Sequence, residues 1–312
     1  MSRSVLALLD VRPAYTEMLS QKYDLHRWDQ MNDKQAFLNQ TGKDITALVT
    51  SAGFGLPDGL IDDLPNLEVI TSFGVGYDSI DIEACRARGI HVSNTPDVLT
   101  DDVADTGIML MHATLRRIVV GDHWARSGQW EQKGAMALTR SVRGKKLGIV
   151  GLGRIGQGIA SRAEPSGVEI GYFGRSPKQV DYRYFDDLLA LAQWADILMV
   201  ACPGGDATKE IVNAPVLSAL GKDGYVVNIA RGSVIDEPAL IEALRNSVIA
   251  GAGLDVFHNE PNMDRAFADF DNVVLYPHSA SGTIETRDAM AQLVVDNLDA
   301  WDQRGELVTP VV

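Results

Sequence analysis

The stretch Lys146-Leu147-Gly148-Ile149-Val150-Gly151-Leu152-Gly153-Arg154-Ile155-Gly156 decides how the rest of this chain is read. Its first five residues form an apolar run of strand length, and Arg154–Ala163 carries the spacing of an amphipathic helix. Between the two stand glycines in the order Gly-x-Gly-x-x-Gly. That spacing alone is weak, because a glycine-rich chain produces it by chance. With a strand before it and a helix after it, the turn has the context a dinucleotide site demands, with a purely structural turn as the plain alternative. The first glycine makes the tight bend, the second lets the backbone approach a pyrophosphate, and the third allows close helix–strand packing. The helix N-terminus then offers free amides to phosphate oxygens. Gly151, Gly153 and Gly156 are therefore expected to hold a dinucleotide.

Working outward, similar buried-strand runs recur on both sides. Before the fingerprint they are Val5–Leu9, Thr46–Thr50, Glu68–Ser72 and Ile90–Val92. After it come Val168–Phe173, Ile197–Ala201, Tyr225–Ile229, Ile249–Leu254 and Val273–Leu275. Helix-like segments such as Pro238–Arg245 alternate with them, the signature of parallel α/β sheets. A chain of 312 residues exceeds one core of usual size, so two doubly wound parallel sheets in two domains are expected. The turn-rich Asn94-Thr95-Pro96-Asp97 marks the boundary, ahead of a helical pattern starting near Thr100. The last helix, about Thr283 to Trp301, follows the His278 loop and carries the chain back. The expected division is 1–98 plus 284–312 for a discontinuous substrate-binding domain and 99–283 for the dinucleotide domain.

Composition narrows the partners. Hydrophobic residues at 46% and charged residues at 22% are those of a soluble globular protein. A formal net charge of −14 disfavours nucleic acid and anionic membrane, so a small anionic substrate needs a local cation. Cys85 and Cys202 have no metal-ligand spacing and make no disulfide framework, so no metal is expected and a reduced, cytoplasmic setting fits. Ser4–Asp10 is too short an apolar run for a signal segment, and no stretch reaches the roughly 18 apolar residues of a membrane span.

Three residues downstream of the fingerprint carry chemistry. Arg231, in Asn228-Ile229-Ala230-Arg231-Gly232, stands just past a strand, where open α/β sheets bind ligands. Its guanidinium fork suits the carboxylate and keto oxygen of a 2-oxo acid, and its plain alternative is an ion pair between domains. His278, in Pro277-His278-Ser279, is the candidate general acid, since that oxygen needs a proton as hydride reaches the carbon and imidazole is the side-chain type suited to give it near neutrality. Glu260, in Asn259-Glu260-Pro261, can orient the imidazole and favour its charged form. A capping histidine and a turn glutamate are the plain readings of these two. Their coexistence with Arg231 shifts the balance toward catalysis.

Other positions shape the site. After the second cofactor strand the chain has Gly174-Arg175-Ser176 with Lys178 nearby, in place of the acid that would read an NAD ribose. Arg175 and Ser176 suit a 2′-phosphate, which favours NADP(H), with NAD(H) possible and a solvated basic turn as the plain reading. The turn Ser72–Asp78 can aim amides at an anion, so Val75 and Gly76 are read as holding the substrate carboxylate, with a plain strand-to-helix turn as the alternative. Ser51–Gly55, with Phe54 as lid or wall, lies at another strand end. Asp255 has two readings, an acceptor for a nicotinamide carboxamide or a cap for the next segment. Cys202-Pro203 ends a strand beside the expected cofactor groove. Trp124 and Trp130 read as interface or local core.

Taken together, Gly151–Gly156, Cys202-Pro203, Asn228–Gly232, Gly253–Val256, Asn259–Pro261, Pro277-His278 with Ser281, and Asn94–Asp105 resemble the D-isomer-specific 2-hydroxyacid dehydrogenase family. The likeness covers nearly the whole chain and is nearest to its glyoxylate/hydroxypyruvate and hydroxyphenylpyruvate reductases. It implies two Rossmann-like domains with the active site in the cleft between them, and a homodimer joined through the cofactor domains. It implies Arg231 as substrate anchor, His278 as proton donor and Glu260 as its partner, and it assigns Thr100, Arg154, Ile155, Thr208, Ala230 and Asp255 to the cofactor. The run Cys202-Pro203-Gly204-Gly205-Asp206 departs from the family's more usual Pro-Leu-Thr. The expected activity is NADPH-preferring reduction of glyoxylate or hydroxypyruvate to the D-2-hydroxy acid. Hydroxyphenylpyruvate and 2-ketogluconate are the alternative substrates, and a non-catalytic dinucleotide sensor or corepressor is the rival from another class.

Overall fold

Twelve short strands, all paired in parallel, make two separate sheets in the computed structural model, which describes residues 3–312. The first sheet holds β1 (Ser4–Ala7), β2 (Asp24–Arg27), β3 (Ile45–Thr50), β4 (Val69–Ser72) and β5 (His91–Ser93) in the order β2-β1-β3-β4-β5. The second holds β6 (Lys146–Val150), β7 (Glu169–Phe173), β8 (Arg183–Phe185), β9 (Ile197–Val200), β10 (Tyr225–Asn228), β11 (Gly251–Leu254) and β12 (Val273–Leu275), in the order β12-β11-β10-β9-β6-β7-β8. Contacts divide the chain into one unit of Met1–Leu99 with Ser281–Val312 and another of Thr100–Ala280.

The central strands are apolar because parallel sheets are covered on both faces. All four residues of β9 and of β10 are buried, as are those of β1 and β4. In the larger unit Leu198, Val200, Val226 and Leu254 meet Leu191, Leu217 and Leu240 from the covering helices. In the smaller, Leu6, Leu48, Ile70 and Val92 meet Leu64, Cys85 and Trp28. The edge strands β2 and β8 have no such apolar run, so their sequences do not announce them as strands.

Strand order locates the ligand side of the larger unit. The sheet winds outward in both directions from the β6/β9 pair, so the switch point lies between the ends of those two strands. Ligands of open parallel sheets bind in the crevice at such a point. Gly151 follows β6 and Ala201-Cys202 follows β9, placing the fingerprint at this crevice.

Candidate active site

The sheet brings the chemistry of the larger unit to neighbouring strand ends. Arg231 follows β10, Asp255 and Glu260 follow β11, and His278 follows β12, and these three strands are adjacent. Residues spread over nearly fifty positions therefore meet at one edge. The turn carrying Arg231 is shaped by Asn228, which is 1% exposed. Its Oδ1 accepts from the Ala230 amide at 3.0 Å and its Nδ2 donates to the Arg231 carbonyl at 2.9 Å. This is an Asx-type turn, and it makes Asn228 a shaping residue that the strand pattern alone does not reveal. Arg231 Nη1 donates back to the Ala230 carbonyl at 2.7 Å.

His278 Nδ1 and Glu260 Oε2 are 2.5 Å apart. The other carboxylate oxygen, Oε1, accepts from the Phe257 amide at 2.8 Å. Burial pushes the Glu260 carboxyl upward, but the hydrogen bonds from His278 and the Phe257 amide, with the charges of His278 and Arg231, outweigh it and the net shift is down. An ionised carboxylate is acceptor-only, so Nδ1 must carry the proton it shares. Nε2 is left as the nitrogen that can face a substrate. The two side chains keep 39% and 29% exposure, so a small molecule can reach the pair.

A glutamine at position 260 has one oxygen where two are used, and its NH2 would face a donor. Glu260→Gln is therefore expected to lower kcat by about 10²-fold or more, within the range general acid catalysis supplies. The same variant tests the electrostatics. A carboxyl whose folded pKa is depressed contributes stability above its unfolded pKa and loses it as pH falls through the folded value. The melting temperature of the parent should exceed that of Glu260→Gln at neutral pH, and the gap should close in acid, below the ordinary carboxyl range near about 4.3. A gap that persists unchanged into strong acid would remove the charge argument.

Asp255 holds the histidine loop from beneath. It is 1% exposed, and its carboxylate accepts from the Ser279 amide at 2.8 Å and the Ala280 amide at 3.2 Å. Its own carbonyl accepts from the His278 amide at 2.7 Å. His278 itself sits at φ +47°, a left-handed conformation that histidine tolerates better than most residues. Burial raises the Asp255 carboxyl, opposed by those amides and by the charge of His278. The carboxylate therefore caps the histidine loop, one of its two sequence readings.

The fingerprint residues form a cradle that fits a dinucleotide. Gly151 turns at φ +96°, and a Cβ on Gly156 would lie 2.2 Å from the Gly151 carbonyl oxygen. Helix Arg154–Ala163 starts at Gly153 with no side-chain cap, whereas helices Leu188–Trp194, Ala214–Leu220 and Glu237–Arg245 are capped by Asp187, Asn213 and Asp236. An uncapped helix N-terminus of this kind suits the phosphates of a dinucleotide. Ala230 and Cys202 are buried, and burial pushes the Cys202 thiol up to about 11, so it stays a thiol at neutral pH. Thr208 Oγ1 donates to the Pro203 carbonyl at 2.6 Å, which closes the loop that departs from the family pattern. Thr100 opens helix Thr100–Leu115. Arg175 and Ser176 are exposed beyond β7, on a loop pinned by Tyr172 Oη accepting from the Lys178 amide at 2.7 Å and by Tyr184 Oη donating to the Gly174 carbonyl at 3.1 Å.

In the smaller unit, Val75 and Gly76 stand on the turn after β4. The carbonyls of Gly74, Val75 and Gly76 accept from the Thr95 amide, Asn94 Nδ2 and Ser72 Oγ. Among the described residues the Val75 and Gly76 amides donate to no protein acceptor, which leaves two donors for an anion. Phe54, in the turn after β3, is 46% exposed. Trp124 donates its indole N–H to the Gly134 carbonyl, and Trp130 is exposed. No group of three or more His, Cys, Asp or Glu that could hold a metal occurs among the described residues, and no helix there is long and apolar enough to cross a membrane.

Known proteins of similar sequence and fold give the chain a family. The profile of the D-isomer specific 2-hydroxyacid dehydrogenase NAD-binding domain matches residues 108–280. The chain is 46% identical over 312 residues to glyoxylate/hydroxypyruvate reductase A of Arabidopsis thaliana, covering 100% of this chain and 99% of that protein. It is 44% identical over 309 residues to 2-ketogluconate reductase of Gluconobacter oxydans, covering 99% and 98%. Among solved structures, an NADPH-dependent glyoxylate/hydroxypyruvate reductase from Sinorhizobium meliloti, in complex with NADP and malonate, superposes with a TM-score of 0.94. That structure is 44% identical, covering 100% of this chain and 97% of the other.

Proposed function

The chain belongs to the D-isomer-specific 2-hydroxyacid dehydrogenase family, and on that premise we propose that it is an NADPH-preferring reductase of small 2-keto acids, acting as a cytoplasmic homodimer and forming the D-2-hydroxy acid. Like its relatives it is an oxidoreductase. The observation that carries the proposal is the Glu260–His278 pair at 2.5 Å, one strand end away from Arg231.

The bound dinucleotide supplies the hydride. His278 delivers a proton from Nε2 to the keto oxygen as that oxygen gains charge, and Glu260 holds the ring and balances the imidazolium. Arg231 anchors the carboxylate and stabilises the developing alkoxide. The Val75 and Gly76 amides take the rest of the carboxylate charge. Gly151, Gly153, Arg154, Ile155 and Gly156 hold the pyrophosphate, with Thr100, Cys202, Pro203, Thr208, Ala230 and Asp255 lining the rest of the dinucleotide site. Glyoxylate and hydroxypyruvate rank first as substrates, ahead of hydroxyphenylpyruvate and 2-ketogluconate, in line with the names of the Arabidopsis and Sinorhizobium reductases.

Preference for NADPH rests on Arg175 and Ser176, exposed where a ribose 2′-phosphate would be met. The test follows loss of reduced-nicotinamide absorbance with each cofactor against the four keto acids. NADPH-dependent turnover is the expected result. Arg175→Ala should raise the NADPH KM about tenfold or more, as loss of a charge-assisted contact does, and spare NADH. Equal use of both cofactors by the parent would overturn the preference, and turnover of none of the acids would overturn the enzyme reading.

A further inference from the structure

A fully buried asparagine in a helix is costly unless its amide is satisfied, and Asn297, in helix Ile284–Arg304, is 0% exposed. Its Nδ2 donates to the Leu293 carbonyl at 2.7 Å within its own helix and to Thr309 Oγ1 at 2.9 Å. Its Oδ1 accepts from the Thr309 amide at 3.0 Å. Thr309 Oγ1 in turn donates to the Asn94 carbonyl at 2.6 Å, and Asn94 Nδ2 donates to the Val75 carbonyl at 2.8 Å. Next to Asn94, Thr95 exchanges hydrogen bonds with Gly74, its amide to the Gly74 carbonyl at 2.9 Å and its Oγ1 from the Gly74 amide at 3.0 Å. The strand-like run from Thr309 to Val312 lies along β5, with the Val311 amide donating to the Val92 carbonyl at 2.7 Å. A continuous chain of donors and acceptors therefore runs from helix to turn inside the smaller unit.

The last link determines what the turn can do. A carbonyl of Val75 held inward by Asn94 fixes the plane of the peptide that carries the Gly76 amide, because the peptide unit is rigid. The Thr95 amide on the Gly74 carbonyl does the same for the peptide that carries the Val75 amide. Polar networks in which every member is satisfied specify one geometry more sharply than apolar packing.

We propose that Asn297 and Thr309 are positioning residues for the Gly74–Gly76 turn, acting through Asn94 to hold two amides ready for a substrate carboxylate. The proposal rests on the assignment of that turn to the carboxylate. Thr309→Val removes the hydroxyl with little change of volume, and Thr309→Ser restores it. In the full-length protein, Thr309→Val should raise the KM for hydroxypyruvate about tenfold, the worth of one hydrogen bond to a positioned group, with kcat nearly unchanged. Amide hydrogen exchange over residues 72–78 should quicken in the same variant, the NADPH Kd should not move, and Thr309→Ser should return both readouts to the parent values. Thr309→Ala serves the same comparison if the valine variant does not fold. Faster exchange confined to residues 305–312 with an unchanged KM, or a serine variant as impaired as valine, would overturn the proposal. A parent protein without keto acid turnover would count against the proposed activity instead, and the exchange experiment would still decide the relay.

Discussion

Replacing His278 by asparagine is expected to lower kcat for keto acid reduction by roughly 10²–10⁴-fold, the range a positioned general acid contributes. Asparagine is the informative choice because the backbone at this position has φ +47°. Asn and His are among the residues that accept the left-handed region, so the loop need not rearrange. The backbone contacts that fix it, from the His278 amide to the Asp255 carbonyl and from the Ser279 and Ala280 amides to the Asp255 carboxylate, use no atom of the imidazole. Affinity for NADPH should therefore be near that of the parent, measured by fluorescence titration. Turnover within a few-fold of the parent would remove His278 as the acid and leave the pair with Glu260 as a structural ion pair.

Much of this site was legible because parallel sheets write themselves as apolar runs. The central strands β6, β9 and β10 are buried over nearly their whole length, and each was visible as a run of Val, Ile and Leu. The edge strands β2, Asp24-Leu25-His26-Arg27, and β8, Arg183-Tyr184-Phe185, are half open to water and lack that signal. Site residues at strand ends followed from the same logic, since Arg231, Asp255 and His278 each come just after a run. What spacing cannot show is which side chains meet across strands. Glu260 and His278 are eighteen positions apart, and their contact depends on β11 and β12 being neighbours. Asn94, Asn228 and Asn297 are harder still. Each makes hydrogen bonds to backbone through one side chain, which leaves no periodicity to read. Only Asn228, with its partner amide two residues on, had a local cue in the Asx-turn spacing.

Arg231→Lys separates charge from shape. The turn that carries residue 231 is set by Asn228 and by main-chain atoms, so lysine leaves the backbone in place. Lysine also keeps the positive charge that helps hold the Glu260 carboxyl down, so the electrostatics of the acid pair survive. What disappears is the planar fork, which alone can bind two oxygens of a 2-keto acid with fixed geometry. One of those oxygens is the carboxylate, whose loss raises KM. The other is the keto oxygen, whose charge grows only in the transition state, so its loss lowers kcat. Removing one donor aimed at a developing oxyanion costs about 10²–10³-fold in kcat. Arg231→Lys should show that loss together with a raised KM, while the pH at which the Glu260→Gln stability gap closes stays where it was. Arg231→Gln removes the charge as well, and should move that gap toward higher pH. If lysine instead supports kcat and KM within about twofold of the parent, uniform charge attraction suffices and the fork has no part in the chemistry.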